Sequence, residues 1–289
     1  MVYSLSNTNL TASINLKGAE LSKLVDKDGV NYVWTADAKY WGRHTPMLFP
    51  FIGRIVDGAY TYEGNSYTIP SHGFARDMDF EVTNQTDTKI TFTLKSSDET
   101  KKMYPFDFTL NVHYELNEKT LSVSYEVINN DSREMIFKIG GHPAFNCPLL
   151  DGEVMEDYYL KFPEVEEATL LLPHQETTLV SRDTSRFSGD TLHLSPDLFA
   201  VDAVIFKGLK STYVTLENTK NDKKLRFDFD GFPLLGIWSK ADRAPFVCIE
   251  PWHGHTDFVG ESVELTEKED TVKLSSNSTF ECTQKITIA

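Results

Sequence analysis

Residues 106–127 read "FDFTLNVHYELNEKTLSVSYEV". Apolar side chains fall at every second position: Phe106, Phe108, Leu110, Val112, Tyr114 and Leu116, then Leu121, Val123, Tyr125 and Val127. A period of two marks a strand with one buried face, because successive side chains point to opposite sides of the chain. The link "NEKT" is short and polar, so the two runs predict an antiparallel hairpin. Similar short strand-like runs recur in "KITFTL", "YYLKF", "YVTLEN", "KLRFDFD", "FVCIE", "VELTE" and "FECTQKITI". Strands with one wet face belong to antiparallel sheets.

Helical periodicity is scarce. The best candidate is "SSDETKKMYP", where Ser97 or Asp98 can cap one or two turns before Pro105 stops them. No Pro/Ser/Gly-rich linker divides the chain and no fixed-period repeat is visible. The expectation is one all-β domain over residues 1–289, a large antiparallel β-sandwich of curved sheets. Large all-β folds reach this length as a unit.

The chain carries 28 basic and 43 acidic residues, a net charge of −15. That argues against nucleic acid and anionic membranes as partners. Three cysteines, Cys147, Cys248 and Cys282, are too few and too odd in number for a disulfide framework, and fit a reducing cytosol. The N-terminal residues lack the basic and apolar regions of a signal peptide, and no apolar run reaches membrane-spanning length. A cytoplasmic location is expected.

The stretches most broken by proline and glycine are 42–76, 140–151 and 231–260, where function commonly resides on such a scaffold. In "APFVCIEPWHGHTD", alternation places Phe246, Cys248 and Glu250 on one face and Val247 and Ile249 on the other, with Pro251 stopping the strand. Glu250 is either a base held against the Trp252 wall or a solvated strand-end carboxylate, the commoner state of a glutamate. His253, His255 and Asp257 have a spacing open to a metal, but the intervening glycine leaves their geometry undefined and a polar loop is the simpler reading. In "PMLFPFIGRIVDGAY", Arg54 emerges from apolar sequence and needs a salt-bridge partner or a ligand. His72 and Arg76 follow in "SHGFARDMDF". In "GGHPAFN", His142 stands where a strand gives way to a loop. The two glycines before it allow close approach of a ligand or of another strand. The bland reading of the segment is a tight turn.

In order, "FPFIGRI" at Arg54, "HGFAR" at His72 and Arg76, "GGHPAFN" at His142, "DAVIFK" with Asp202, and "PFVCIEPWHG" at Glu250 resemble the aldose 1-epimerase (galactose mutarotase-like) family, closest to its bacterial LacX-like branch. The resemblance implies a β-supersandwich with a carbohydrate site on a concave face. It implies that Glu250 is the catalytic base and His142 the catalytic acid, and that His72 hydrogen-bonds the sugar near its ring oxygen. Arg54 and, by a looser match, Asp202 are implied to bind sugar hydroxyls. The implied reaction interconverts the α and β anomers of a free aldohexose through ring opening and closure. It needs one acid and one base, and no metal or other cofactor is expected. An adjacent carboxylate is expected to keep the imidazole protonated.

Two other functions compete. One is a hexose-6-phosphate 1-epimerase, in which Arg54 and Arg76 converge on a phosphate. The other is a non-catalytic sugar-binding or sensor protein that stacks the ligand on Trp238, Trp252 or Phe145. A glycoside hydrolase needs two carboxylates flanking a bond, and only one well-placed carboxylate motif is evident.

Overall fold

The computed structural model describes residues 1–289. The hairpin forms as its alternation dictates. Strands Phe108–Asn117 and Thr120–Asn129 pair antiparallel, with Leu116 opposite Leu121 and Phe108 opposite Asn129. Every second residue along both strands is buried. Each large apolar side chain so covered contributes roughly 1.5–3 kcal/mol. One turn of helix, Asp98–Lys101, starts at Ser97, whose N–H donates to Thr100 Oγ1 (2.8 Å) while Thr100 N–H donates to Ser97 Oγ (3.3 Å). That reciprocal exchange satisfies two backbone donors the first turn would otherwise strand.

Strand is the dominant element and antiparallel pairing the rule. Fifteen strands join in one curved sheet. Its order begins with Met47–Leu48, then Ile139–Gly141, Phe246–His253, Leu234–Trp238, Val204–Lys207 and Tyr158–Pro173. It continues through Tyr213–Asn218, Leu225–Asp228, Thr279–Ile288 and the hairpin to Lys89–Lys95 and Glu81–Gln85. A three-stranded sheet near the N-terminus and two small ribbons complete the all-β architecture. The five strands that open this order lie within, or run directly into or out of, the stretches quoted above for Arg54, His142, Glu250, Trp238 and Asp202. Motifs far apart in the chain thus become neighbours: Ile139–Gly141 pairs with Met47–Leu48 on one side and with Phe246–His253 on the other.

Four local points need correction, three readings and one omission. "VELTE" forms no strand: Leu265–Glu267 is a 3-10 turn. Ser262 Oγ accepts the Glu264 N–H and donates to Glu267, local bonds that compete with a ladder. Pro251 does not end its strand, which runs on to His253. On one side that strand pairs with Ala144–Asn146 as far as Cys248 and with Ile139–Gly140 from Trp252 onward. Pro251 falls in the gap between these two partners, where no ladder donor is required. Leu234–Trp238 is a strand without alternation, because four of its five residues are buried. The fourth correction concerns Gly140 and Gly141, which make no room for a ligand. A Cβ on Gly140 would lie 2.6 Å from Trp252 Cδ1, and one on Gly141 would lie 2.5 Å from Gln284 Oε1. Gly140 admits the adjoining strand, and Gly141 admits a side chain from strand Thr279–Ile288.

Candidate active site

The faces of the 246–253 strand separate as the alternation requires. Val247 and Ile249 enter the main core, while Phe246 and Cys248 pack with Trp34 and Ala144 in a separate cluster. Cys248, Glu250 and His142 bring their side-chain donor atoms within 4.8 Å of one another, so Cys248 shares the face of Glu250. Glu250 is not a solvated strand-end residue, being only 1% exposed.

His142 sits between Ile139–Gly141 and Ala144–Asn146, 7% exposed, its backbone N–H donating to Pro46 O at 2.9 Å. His142 Nε2 lies 3.2 Å from Glu250 Oε2. His142 Nδ1 and Glu250 Oε2 have no hydrogen-bond partner. Burial, reinforced by the charge of Asp202, pushes the Glu250 carboxyl well above its ordinary range. Burial, helped by the Arg76 and Arg43 guanidiniums, pushes the His142 imidazole down to about 3. Desolvation dominates both shifts and favours the neutral form of each group, which runs against the expectation that the carboxylate keeps this imidazole protonated.

These two groups face a cavity of about 360 Å³ lined also by Arg54, His72, Arg76, Asp202, Trp238 and Trp252. All six residues expected at the site reach this one cavity. His72 holds a left-handed backbone (φ +65°), and its Nδ1 accepts the Gly53 N–H at 3.1 Å. That bond assigns the proton of the neutral ring to Nε2, leaving a donor for a ligand. Burial first, then His142 and the three arginines, push His72 well below its ordinary value. Burial also raises the Asp202 carboxyl, which accepts the Ala203 N–H at 2.9 Å. Arg54 has no ion-pair partner and is exposed at the cavity, so the salt-bridge reading fails.

Of the lining residues that escaped sequence reasoning, two bear directly on His142 and Arg76. Trp41 stacks on the His142 ring at 4.8 Å and 26°, while Trp238 meets that ring edge-on at 5.6 Å. The Trp41 carbonyl accepts the Trp34 indole N–H at 2.9 Å, and His44 O accepts the Ala144 N–H at 3.1 Å, which ties this segment to the sheet. Arg43 is the other. Its guanidinium donates to Asp77 at 3.0 Å and bears on Arg76, which is pushed down to about 10 by burial and by that charge. Arg76 donates to Ser71 O at 2.7 Å and keeps a buried Nε without a partner. The cluster "YWGRH" at 40–44 was the available signal, lying partly within the irregular stretch but carrying no motif.

Two of the alternatives fall away. His253, His255 and Asp257 do not converge on a metal. His253 packs on Phe232 and Phe280, His255 Nε2 lies 3.0 Å from Asp270, and Asp257 is buried between Lys138 and Lys268. Phe145 is fully buried in the core against Phe227, out of reach of a ligand.

Comparison with known proteins identifies the family and the fold. Protein LacX (plasmid) of Lactococcus lactis subsp. lactis is 37% identical over 297 residues, covering 100% of this chain and 99% of its own length. The solved structure of a galactose mutarotase related enzyme from Lactobacillus acidophilus matches with a TM-score of 0.95 at 34% identity, covering 100% of this chain and 97% of that one. A putative glucose-6-phosphate 1-epimerase of Escherichia coli K12 is 37% identical over 85 residues, 28% of this chain and 26% of that protein. The family model for aldose 1-epimerase spans residues 1–272, and with that match and the full-length relative the chain belongs to the aldose 1-epimerase family.

Proposed function

We propose that this protein is an aldose 1-epimerase that interconverts the α and β anomers of a free aldohexose, with Glu250 as base and His142 as acid. The observation that carries this reading is the 3.2 Å separation of the two buried groups. The hydroxyl oxygen and the ring oxygen of a cyclic aldose share one carbon, so an acid and a base serving them must be neighbours. The carboxyl pairs of glycoside hydrolases stand about 5–9.5 Å apart instead.

In the ring-opening step, Glu250 takes the proton of the anomeric hydroxyl and His142 gives a proton to the ring oxygen. The C1–O5 electron pair leaves with that oxygen, and the O1–H pair becomes the carbonyl bond. After rotation about C1–C2, the same two groups close the ring with their roles exchanged. The step starts from carboxylate and imidazolium, which differ from carboxyl and neutral imidazole by one proton moved across the 3.2 Å gap, so the pair needs no exchange with water during the cycle. The face of Trp41 lies where an imidazolium needs an electron-rich neighbour. His72 Nε2–H, Asp202 and Arg54 supply a donor, an acceptor and a cationic donor for the ring substituents. Residues 1–289 act as one domain in this reading, since one apolar cluster draws on residues from Leu5 to Ile288.

A hexose 6-phosphate is the second reading, favoured by the Arg43–Arg76 neighbours and the unpartnered Arg76 Nε. Asp77 opposes it. It bonds Arg43 at 3.0 Å and lies 3.8 Å from Arg76 Nε, so the Arg43–Arg76–Asp77 group offers a dianion one net positive charge. The partner implied is a small sugar. Polarimetry started from pure α anomers decides: free aldohexoses are expected to equilibrate faster with protein than without. Acceleration confined to hexose 6-phosphates overturns the primary reading.

A further inference from the structure

The segment His253–Asp257, which holds no metal-type geometry, makes a set of bonds to a stretch some 200 residues earlier. The Thr256 hydroxyl donates to Arg54 O at 2.6 Å and also accepts the Arg54 N–H at 2.9 Å. Asp257 N–H donates to the same carbonyl at 3.0 Å, and Asp257 Oδ2 accepts the Val56 N–H at 3.0 Å. Arg54 is thus held on both its backbone polar groups by one side chain. Gly53, at φ +66°, brings the turn so close that a Cβ there would lie 2.4 Å from Thr256 Cβ.

The clamp is anchored in the interior. Asp257 is fully buried, bonded by Lys268 Nζ and 3.5 Å from Lys138 Nζ, and Lys138 donates to His255 O at 2.7 Å. The two ends of the arrangement contrast sharply. Thr256 lines the cavity, yet its single hydroxyl proton is spent on Arg54 and it has none to give a ligand. The Arg54 guanidinium makes no salt bridge or side-chain hydrogen bond; Asp202, on whose carboxyl its charge bears, shares the cavity without an ion pair. Its placement depends on its backbone.

We propose that Thr256 is a positioning residue that fixes the Arg54 backbone and thereby aims its guanidinium at the hydroxyls of the bound sugar. This inference rests on the reading that Arg54 contacts the sugar, and the experiment separates the two. Thr256→Val, Thr256→Ser, Arg54→Ala and the double variant Arg54→Ala/Thr256→Val are compared in mutarotation kinetics. Calorimetric binding of a 1-deoxyhexose, which cannot open, reads binding apart from turnover. Losing an oriented hydrogen bond is worth about a five- to tenfold change. Thr256→Val is therefore expected to raise KM and the 1-deoxyhexose Kd by that factor while kcat stays within about twofold, and Thr256→Ser restores both. In the Arg54→Ala background the second substitution is expected to add less than about twofold, because coupled residues are not additive. Should valine disturb folding, Thr256→Ala removes the same hydroxyl. Full additivity, or a loss of thermal stability with Kd unchanged, overturns the proposal. An unchanged Kd in Arg54→Ala alone overturns the sugar-contact reading and the proposal with it.

Discussion

Glu250 and Asp257 are two buried carboxylates seven residues apart, and the fold treats them in opposite ways. Asp257 has a lysine on either side and a backbone N–H on Oδ2. Glu250 has no cation other than a potential one, a histidine 3.2 Å away that burial keeps neutral. A buried charge that serves structure is met by fixed opposite charge. A buried group that must gain and lose a proton is left short, so that neither protonation state is locked in.

The sharpest way to break this contrast is to neutralise Glu250 permanently. Glu250→Gln is expected to lower the mutarotation rate by about 10²–10⁴-fold, and His142→Gln to do the same. Glu250→Gln is also expected to keep the fold and melt higher. Burial pushes the folded carboxyl well above its ordinary range, so the native protein loses stability as pH rises from the ordinary value through the folded one, a slope glutamine lacks. The stability advantage of the variant therefore grows with pH across that window, which thermal melts at stepped pH measure. A rate near that of the native protein removes Glu250 from the mechanism.

The same neutralisation at Asp257 is expected to act on the fold. Asp257→Ala leaves Lys138 and Lys268 buried without their carboxylate, a loss of about 3–5 kcal/mol read by urea denaturation. Wild-type stability in this variant erases the distinction between the two carboxylates.

A smaller effect sharpens the picture around His142. Trp41→Leu removes the ring face stacked on the imidazole and is expected to lower kcat roughly tenfold, in line with about 1–2 kcal/mol for a desolvated cation–π contact. Trp41→Phe is expected to retain most of the rate. The smallest effect is in the pH profile. With His142 pushed down to about 3, the rate is expected to vary less than about twofold between pH 5 and 7, without a step near the ordinary histidine value. A half-maximal point near 6.5 means the imidazole is not desolvated as described.

The hairpin at 106–127 was legible because alternation is a local property and its buried positions are all apolar. The site was legible as motifs: Arg54, His72, Arg76, His142, Asp202 and Glu250 all reach one cavity. What the chain could not display was how each polar group is partnered, because partners come from other strands. Asp257 beside two lysines looks no different in sequence from a metal ligand, and Thr256 looks like any loop threonine. Trp41 and Arg43 sit in a segment with no periodicity, so nothing local separated them from surface residues. Pro251 read as a stop because the rule for proline assumes a partner on each side, and here one side has a gap.

The Trp252 indole lies across its strand with Cδ1 against Gly140 on one neighbour and Cη2 against Gly236 on the other, each 2.6–2.7 Å from where a Cβ would stand. Neither glycine can gain a side chain while the indole remains. A shorter residue at 252 frees Gly236, whereas Gly140 stays held by the Pro251 carbonyl, 2.6 Å from where its Cβ would stand. Evolution or design can reach a different wall for this cavity only by moving through Trp252 first, so the order in which substitutions are made decides which cavity shapes are accessible.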